Sequence, residues 1–176
     1  VHAALGASGS VAEAEKFAAA WQKEHPKDNA FRIYLAELAT ARKDYAGAVA
    51  IYKGLLEQQP KNAVLLNNLA WNAGQLKDPK ALEYAEKANE LSPNQPAILD
   101  TLGVLLVEKG DTARGVELLR KASSLAPQAG AVRLNLAKAL IKAGQKDAAK
   151  KELDTLAQLG DKFPAQKEVA ELMKGL

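Results

Sequence analysis

Four prolines divide most of this chain into segments of nearly constant length. Pro26, Pro60, Pro93 and Pro127 are separated by 34, 33 and 34 residues, and each follows one amphipathic pattern and precedes another. A proline rarely occupies a helix interior, because it has no backbone N–H and its ring clashes with the preceding turn. Self-similarity at a period of roughly 20 to 50 residues is typical of arrays of small supersecondary units, so we expect a repeat protein.

The segment from Pro96 to Pro127 shows the repeating unit most clearly. Apolar residues at spacings of three and four form one helical stripe before a break and another after it. We expect Gly110 to end the first helix in the left-handed conformation and Asp111 to cap the second. A single hairpin cannot bury both stripes, so each unit needs similar neighbours. The stripes contain Ile98, Leu99, Leu102, Gly103 and Leu106, then Val116, Leu119, Ala122 and Leu125.

Small residues recur at matching places in the units. Each first helix carries one directly after a leucine, and each second helix carries another, which indicates that paired helices pack closely at these points. The positions are Ala36, Ala70, Gly103 and Ala137 in the first helices and Ala48, Ala81, Gly115 and Ala149 in the second helices.

Period, small residues and terminal prolines together resemble the tetratricopeptide repeat (TPR) family over roughly residues 10–160. The resemblance implies an all-α fold, a right-handed α-solenoid of antiparallel helix pairs. The aromatic pair usual in the first helix is replaced by Arg32 and Ala39 in one repeat and by Leu99 and Leu106 in another. Leucine roughly preserves the packing volume, so the expected fold stands.

We expect one domain built from consecutive units. The opening VHAALGASGS is interpreted as the last turn of a helix, followed by a helix with Ser10 as its cap and a buried stripe of Val11, Ala14, Ala18 and Trp21. The chain is therefore expected to be a fragment of a longer protein, with room for a signal or lipid anchor upstream. The expected units are a truncated first repeat at 1–26 (second helix 10–25), repeats at 27–60, 61–93, 94–127 and 128–161, and a capping helix in 162–176.

Two local features refine this division. One residue is missing from the turn at Asp78-Pro79, which explains the single period of 33, and Pro79 is expected in the first turn of the next helix. The last helix is predicted from Pro164 to Lys174, with Val169, Leu172 and Met173 as its apolar face. A stack of helix pairs needs such a cap, which covers the final apolar surface and is polar outside.

Residues able to carry catalysis are scarce. The chain has no cysteine, and its two histidines, His2 and His25, are expected at the surface and away from any paired carboxylate motif. The glycines of GASGS lack the GK[ST] ending of a phosphate-binding loop. We therefore expect no enzyme activity, no cofactor and no metal site.

A groove lined by the first helices is the expected binding site. Trp71 is its most informative member, either as a rigid contact for a partner or as a side chain packed between neighbouring helices. For Asn68 and Asn135 two roles are considered, contact with a ligand and hydrogen bonds that join adjacent repeats. The resemblance implies that such a groove holds an extended peptide or a partner helix. The predicted groove residues are Tyr34, Glu37, Asn67, Asn68, Trp71, Asp100, Thr101, Val104, Glu108, Asn135, Lys138 and Lys142.

Charge and composition narrow the choice of partner. TPR receptors for chaperone tails bind a C-terminal carboxylate with lysines, arginine and asparagines on successive first helices. In this chain the comparable places include Ile33 and Leu134, so this carboxylate-binding set is not reproduced. From Gln128 to Lys151 there are six basic residues against Asp147 alone, a local balance of plus five. Two interpretations are considered, a surface that steers an acidic ligand and a solvated lysine face. Nucleic acid is disfavoured, since no aromatic residues interleave with these basic residues. No apolar run approaches the roughly 18 residues that a membrane span needs.

A narrower resemblance concerns the strings LLNNLAWNAG, ALEYAEKANELSPNQPAILDTLGVLLVEKGD and GVELLRKASSLAP. They are similar to bacterial TPR lipoproteins associated with exopolysaccharide export and the PEP-CTERM protein-sorting system. This resemblance implies a non-catalytic scaffold in the periplasm or cell envelope, with a cytoplasmic location as the alternative. Two other functions are considered, a self-assembling homo-oligomer and a binder of an acidic polysaccharide through the basic last repeat.

Overall fold

The computed structural model describes residues 1–176 and contains eleven α-helices, one short 3₁₀ turn and no strand. Helices α1 to α10 form five consecutive antiparallel pairs, and α11 packs against α10. The helices are α1 His2–Ala7, α2 Val11–Glu24, α3 Asn29–Ala41, α4 Tyr45–Gln58, α5 Ala63–Gln75, α6 Ala81–Leu91, α7 Pro96–Lys109, α8 Thr112–Leu125, α9 Gly130–Lys142, α10 Lys146–Gln158 and α11 Gln166–Lys174, with the 3₁₀ turn at Gly160–Lys162.

The same turn joins the two helices of every pair. A residue with φ between 57° and 99° follows each first helix, and the next backbone N–H donates to a carbonyl five residues earlier at 2.8 to 3.0 Å. This bonding satisfies a helix carbonyl that would otherwise have no partner. The predicted left-handed Gly110 is confirmed, with φ 99°. The left-handed residues are Gly9, Lys43, Lys77, Gly110 and Gly144.

Acidic and amide side chains begin four of the helices. Asp28, Asp44, Asn62 and Asp111 each accept a hydrogen bond from the backbone N–H three residues later, at 3.0 to 3.4 Å. These bonds satisfy N–H groups that have no partner inside the helix. The predicted cap at Asp111 is confirmed. Ser10 lies at the expected place before α2, but its side chain makes no capping bond.

The apolar stripes form a core that continues from one pair to the next. Leu102 is 0% exposed, as the stripe predicts, and it belongs to a cluster that joins α3 to α7. A second cluster joins α7 to α10, and a third joins α9, α10 and α11. The small residues predicted at the pair contacts are all buried, and the alanines among them are at most 3% exposed. Each pair therefore completes the core of its neighbours, as a solenoid requires.

Several sequence predictions about single residues and helix ends are wrong. Val11 and Leu125 were expected in buried stripes, but they are 44% and 49% exposed because they lie at the ends of α2 and α8, beyond the contact with the next helix. Helix α6 begins at Ala81, and Pro79 lies in the preceding turn. Helix α11 begins at Gln166, with Val169 buried and Leu172 and Met173 partly buried.

Candidate functional site

The first helices α3, α5, α7 and α9 and one residue of α4 line a cavity of about 440 Å³. We call it the groove. It brings together seven of the predicted site residues, even though they come from four repeats. Those residues are Glu37, Asn67, Asn68, Trp71, Asp100, Thr101 and Asn135.

Trp71 lines the groove and is half-buried. Its indole N–H has no acceptor within the protein, and the ring is therefore available as an apolar surface with one free donor. The neighbouring Asn67 also lines the groove, and its Oδ1 has no hydrogen-bond donor in the protein. Both side chains have hydrogen-bonding capacity that the fold leaves unused.

A chain of hydrogen bonds forms the floor of the groove between α3 and α5. Thr40 Oγ1 donates to Asn72 Oδ1 at 2.9 Å, and Asn72 Nδ2 donates to the Asn68 carbonyl oxygen at 2.9 Å. Asn72 is only 1% exposed, so this network holds a buried amide in one orientation. Sequence reasoning missed both Thr40 and Asn72. A signal existed, because Asn72 occupies the place of Leu38, Leu105 and Ala139 in the other repeats.

Tyr52 is the third polar groove residue that sequence reasoning missed. It lies in α4 and is 2% exposed. Burial and the nearby Glu37 carboxylate raise the pKa of its phenol, whereas the side chain of Asn68 acts in the opposite direction. Tyr52 therefore connects the core of the second pair to the polar side of the groove.

Asp100 and Asn135 connect the fourth and fifth pairs across the groove. Asn135 Nδ2 donates to both carboxylate oxygens of Asp100, at 3.0 and 3.1 Å. Burial raises the pKa of Asp100 to about 6, and the bond from Asn135 opposes that rise. Thr101 lies beside them but is 4% exposed and donates to the Ala97 carbonyl oxygen of its own helix. Its hydroxyl is therefore already used.

Four further predicted residues lie in a separate, smaller cavity of about 190 Å³. Lys142 Nζ donates to the Val107 carbonyl oxygen at 3.0 Å, and Lys138 is paired with Glu168 of α11. The predicted single groove is therefore two cavities that share Asn135. The residues in the smaller one are Val104, Glu108, Lys138 and Lys142.

Tyr34, the remaining predicted residue, lies apart from the groove in an aromatic cluster near α1 and α2. Its hydroxyl is 3.0 Å from His2 Nδ1, and its ring stacks with Phe31. The prediction that His2 is a surface residue is wrong, because this cluster covers the imidazole and leaves it 6% exposed. His25 is exposed, as predicted, and stacks on Trp21.

The predicted basic surface of the last repeat is mostly paired within the protein. Arg133 binds Glu152 at 2.6 Å and Lys150 binds Asp154 at 2.7 Å. Lys146 donates to the Leu176 carbonyl oxygen at 3.1 Å. The sequence window that gave plus five ended before the carboxylates that pair with Arg133, Lys138 and Lys150. Lys142 and Lys146 donate to backbone carbonyl oxygens, which do not offset their charge.

No group of three or more histidine, cysteine, aspartate or glutamate side chains is placed to hold a metal ion. None of the helices combines the length and apolar character that crossing a membrane requires.

Comparison with known proteins gives similarity at two levels. Residues 106–173 match the family model described as Tetratricopeptide repeat. The chain is 31% identical over 111 residues to the TPR repeat-containing protein PA4667 of Pseudomonas aeruginosa, a match covering 58% of this chain and 19% of that protein. It is 33% identical over 126 residues to the Cellulose synthase 2 operon protein C of Komagataeibacter xylinus, covering 69% of this chain and 10% of that protein. The chain thus spans a fifth or less of the length of these relatives.

Among solved structures, the thermophilic TPR protein TTC0263 of Thermus thermophilus superposes with a TM-score of 0.78 at 18% identity, covering 98% of this chain and 95% of that one. This likeness concerns the fold, and it agrees with the five helix pairs and their shared turn. The chain is therefore a right-handed α-solenoid with the tetratricopeptide-repeat fold, and its residues 106–173 carry the sequence signature of the Tetratricopeptide repeat family.

Proposed function

We propose that this protein is a non-catalytic scaffold that binds an extended peptide or a partner helix in the groove. The main support is the open cavity along the first helices, which is lined by the half-buried ring of Trp71. A partly exposed tryptophan within a concave, polar-rimmed site is typical of an interface anchor. TPR-fold proteins generally act as scaffolds, which supports a binding role over catalysis.

We further propose that the partner belongs to the bacterial cell envelope, in exopolysaccharide export or protein sorting. Two observations support this setting. The repeat strings around Asn67 and Asp100 resemble those of envelope lipoproteins, and one relative is named as a product of a cellulose synthase operon. A periplasmic location is part of the proposal. The paired bases of the last repeat give no added support to the acidic-polysaccharide alternative.

The test is a pull-down from bacterial envelope extract with the wild-type chain and the double variant Trp71→Ala, Asn68→Ala. We expect at least one partner to be recovered by the wild type and lost with the double variant, because the variant removes the aromatic contact and a neighbouring amide. Thermal unfolding monitored by circular dichroism shows whether both proteins fold equally.

The matched control is Val64→Ala, which truncates an exposed apolar side chain on the same helix outside the groove. This control should retain every partner. Equal recovery by the wild type and the double variant would contradict the proposal. Mass in solution that rises with protein concentration would then favour the self-assembly alternative.

A further inference from the structure

The groove carries negative charge in a chain whose net charge is plus three. Glu37 and Asp100 line the groove, and no lysine, arginine or histidine does. Glu37 is exposed, and its carboxylate has no ion-pair partner within the protein. A charge of this sign in a concave site attracts cations and repels acidic ligands.

The two lysines of the smaller cavity, which shares Asn135 with the groove, are bonded to other groups. Lys138 pairs with Glu168, and Lys142 donates to the Val107 carbonyl oxygen. The side-chain partner of Asp100 is the neutral amide of Asn135. Because burial raises the pKa of Asp100 to about 6, its ionised form at neutral pH lacks the stabilisation that a cation would give.

One other group in the groove suits a cationic donor. The indole ring of Trp71 is the side chain that attracts a cation most strongly through its π face. A lysine or arginine side chain brings a positive charge and several N–H donors, and therefore complements the carboxylates and the ring together.

We propose that the groove selects an extended peptide that places a lysine or arginine side chain among Glu37, Trp71 and Asp100. The inference rests on the proposed function and adds the chemical class of the partner. The cavity volume of about 440 Å³ lies in the range of pockets for small ligands, which suits one long side chain and its flanking backbone. Asn68 and Asn135 lie beside that position to bond peptide groups.

The test uses four mixtures of short, fluorescein-labelled peptides, randomised except for a central lysine, arginine, glutamine or glutamate. Binding to the full chain is measured by fluorescence anisotropy at low salt. We expect the lysine and arginine mixtures to bind about tenfold more tightly than the glutamate mixture, with glutamine between them. Added salt should narrow this difference, since it screens charge.

Two variants and one control assign the preference to the groove. Glu37→Gln and Asp100→Asn should each reduce the ratio of basic to acidic binding, and Glu37→Gln alters an exposed side chain that the fold does not need. Glu57→Gln removes an exposed carboxylate that does not line the groove, and it should leave the ratio unchanged.

The outcomes separate this inference from the proposed function. Mixtures that bind without charge preference, but lose affinity with Trp71→Ala, would overturn the inference and leave the groove as a peptide site. A basic preference that survives both groove variants would also overturn it. If no mixture binds the wild type better than Trp71→Ala, both the inference and peptide binding in the groove are wrong.

Discussion

Asp100 illustrates how a neighbouring repeat sets the properties of a single side chain. Its carboxylate accepts both bonds from Asn135, which lies 35 residues later in the chain. A neutral amide stabilises the ionised carboxylate less than a cation would, so burial dominates and the pKa rises from 3.8 to about 6. The ionised form of Asp100 is therefore a cost to the folded state at neutral pH.

This cost predicts a pH-dependent effect of Asp100→Asn. Between pH 3.8 and about 6 the folded state binds more protons than the unfolded state, so the stability contributed by Asp100 falls as pH rises and stays low above about 6. Asparagine does not titrate. We expect the free energy of unfolding of the variant, relative to wild type, to increase by up to about 3 kcal/mol from below pH 4 to above pH 7.

Urea denaturation at several pH values measures this difference. The control is Glu57→Gln, which removes an exposed carboxyl on α4 that does not line the groove. A relative stability of Asp100→Asn that is constant with pH, or that decreases as pH rises, would contradict the sign of the predicted effect.

At the scale of elements, the pair α7 and α8 packs more closely than alanine would allow. A Cβ built at Gly115 would lie 2.7 Å from the Gly103 carbonyl oxygen and 2.4 Å from Val107 Cγ2. A Cβ at Gly103 would in turn lie 3.0 Å from the Gly115 carbonyl oxygen. The pairs α3/α4, α5/α6 and α9/α10 carry alanine at both places, so α7 and α8 have used the space that two missing methyl groups leave.

Gly115→Ala is therefore expected to lower the free energy of unfolding by about 1–3 kcal/mol, because backbone atoms must move to admit the methyl group. Gly54→Ala is the matched control in another second helix, α4. Its Cβ would meet only the end of the Arg32 side chain, which can move, so helix propensity should raise stability by about 0.5–1 kcal/mol. Chemical denaturation midpoints measure both changes, and equal effects would be inconsistent with the close contact.

Sequence reasoning located the elements well because their signals are local. The left-handed turns, the side-chain caps and the small contact residues all depend on neighbours a few residues away. The missing residue near Asp78 is also visible in the sequence. The left-handed Lys77 precedes the small residue Ala81 of α6 by four residues, whereas the corresponding separation in the other pairs is five residues. The predicted start of α6 at Pro79 is wrong, because Pro79 and Lys80 belong to the turn that precedes the helix.

At the scale of the whole molecule, the core is a series of clusters rather than one centre. The last cluster contains Leu134, Leu153, Phe163 and Val169, so α11 covers α9 and α10 but does not reach the earlier pairs. In a solenoid of this kind stability is approximately a sum over neighbouring units. A defect at one end should therefore have a local effect.

Val169→Asp tests this expectation, because it places a carboxylate at a position that is 1% exposed. We expect amide hydrogen exchange to accelerate by more than about tenfold in α9, α10 and α11 and to stay unchanged in α3 and α4. Glu171→Ala, on the exposed side of the same helix, serves as control. Equal acceleration along the whole chain would indicate a single cooperative unit instead.

The sequence alone determined the repeat period, the helix pairs, the buried stripes and the row of first helices that carries Trp71, Asn68 and Asn135. These features follow from spacings within a repeat, which any local pattern reveals. Only the tertiary structure decided how side chains from different repeats pair. Asn135 reaches Asp100, Lys142 reaches the Val107 carbonyl and Thr40 reaches Asn72, each across 32 to 35 residues. The predicted site residues line two cavities that share Asn135, and three of the six bases of the last repeat form ion pairs. The stacking of adjacent helices, not the sequence interval, sets which of these groups meet.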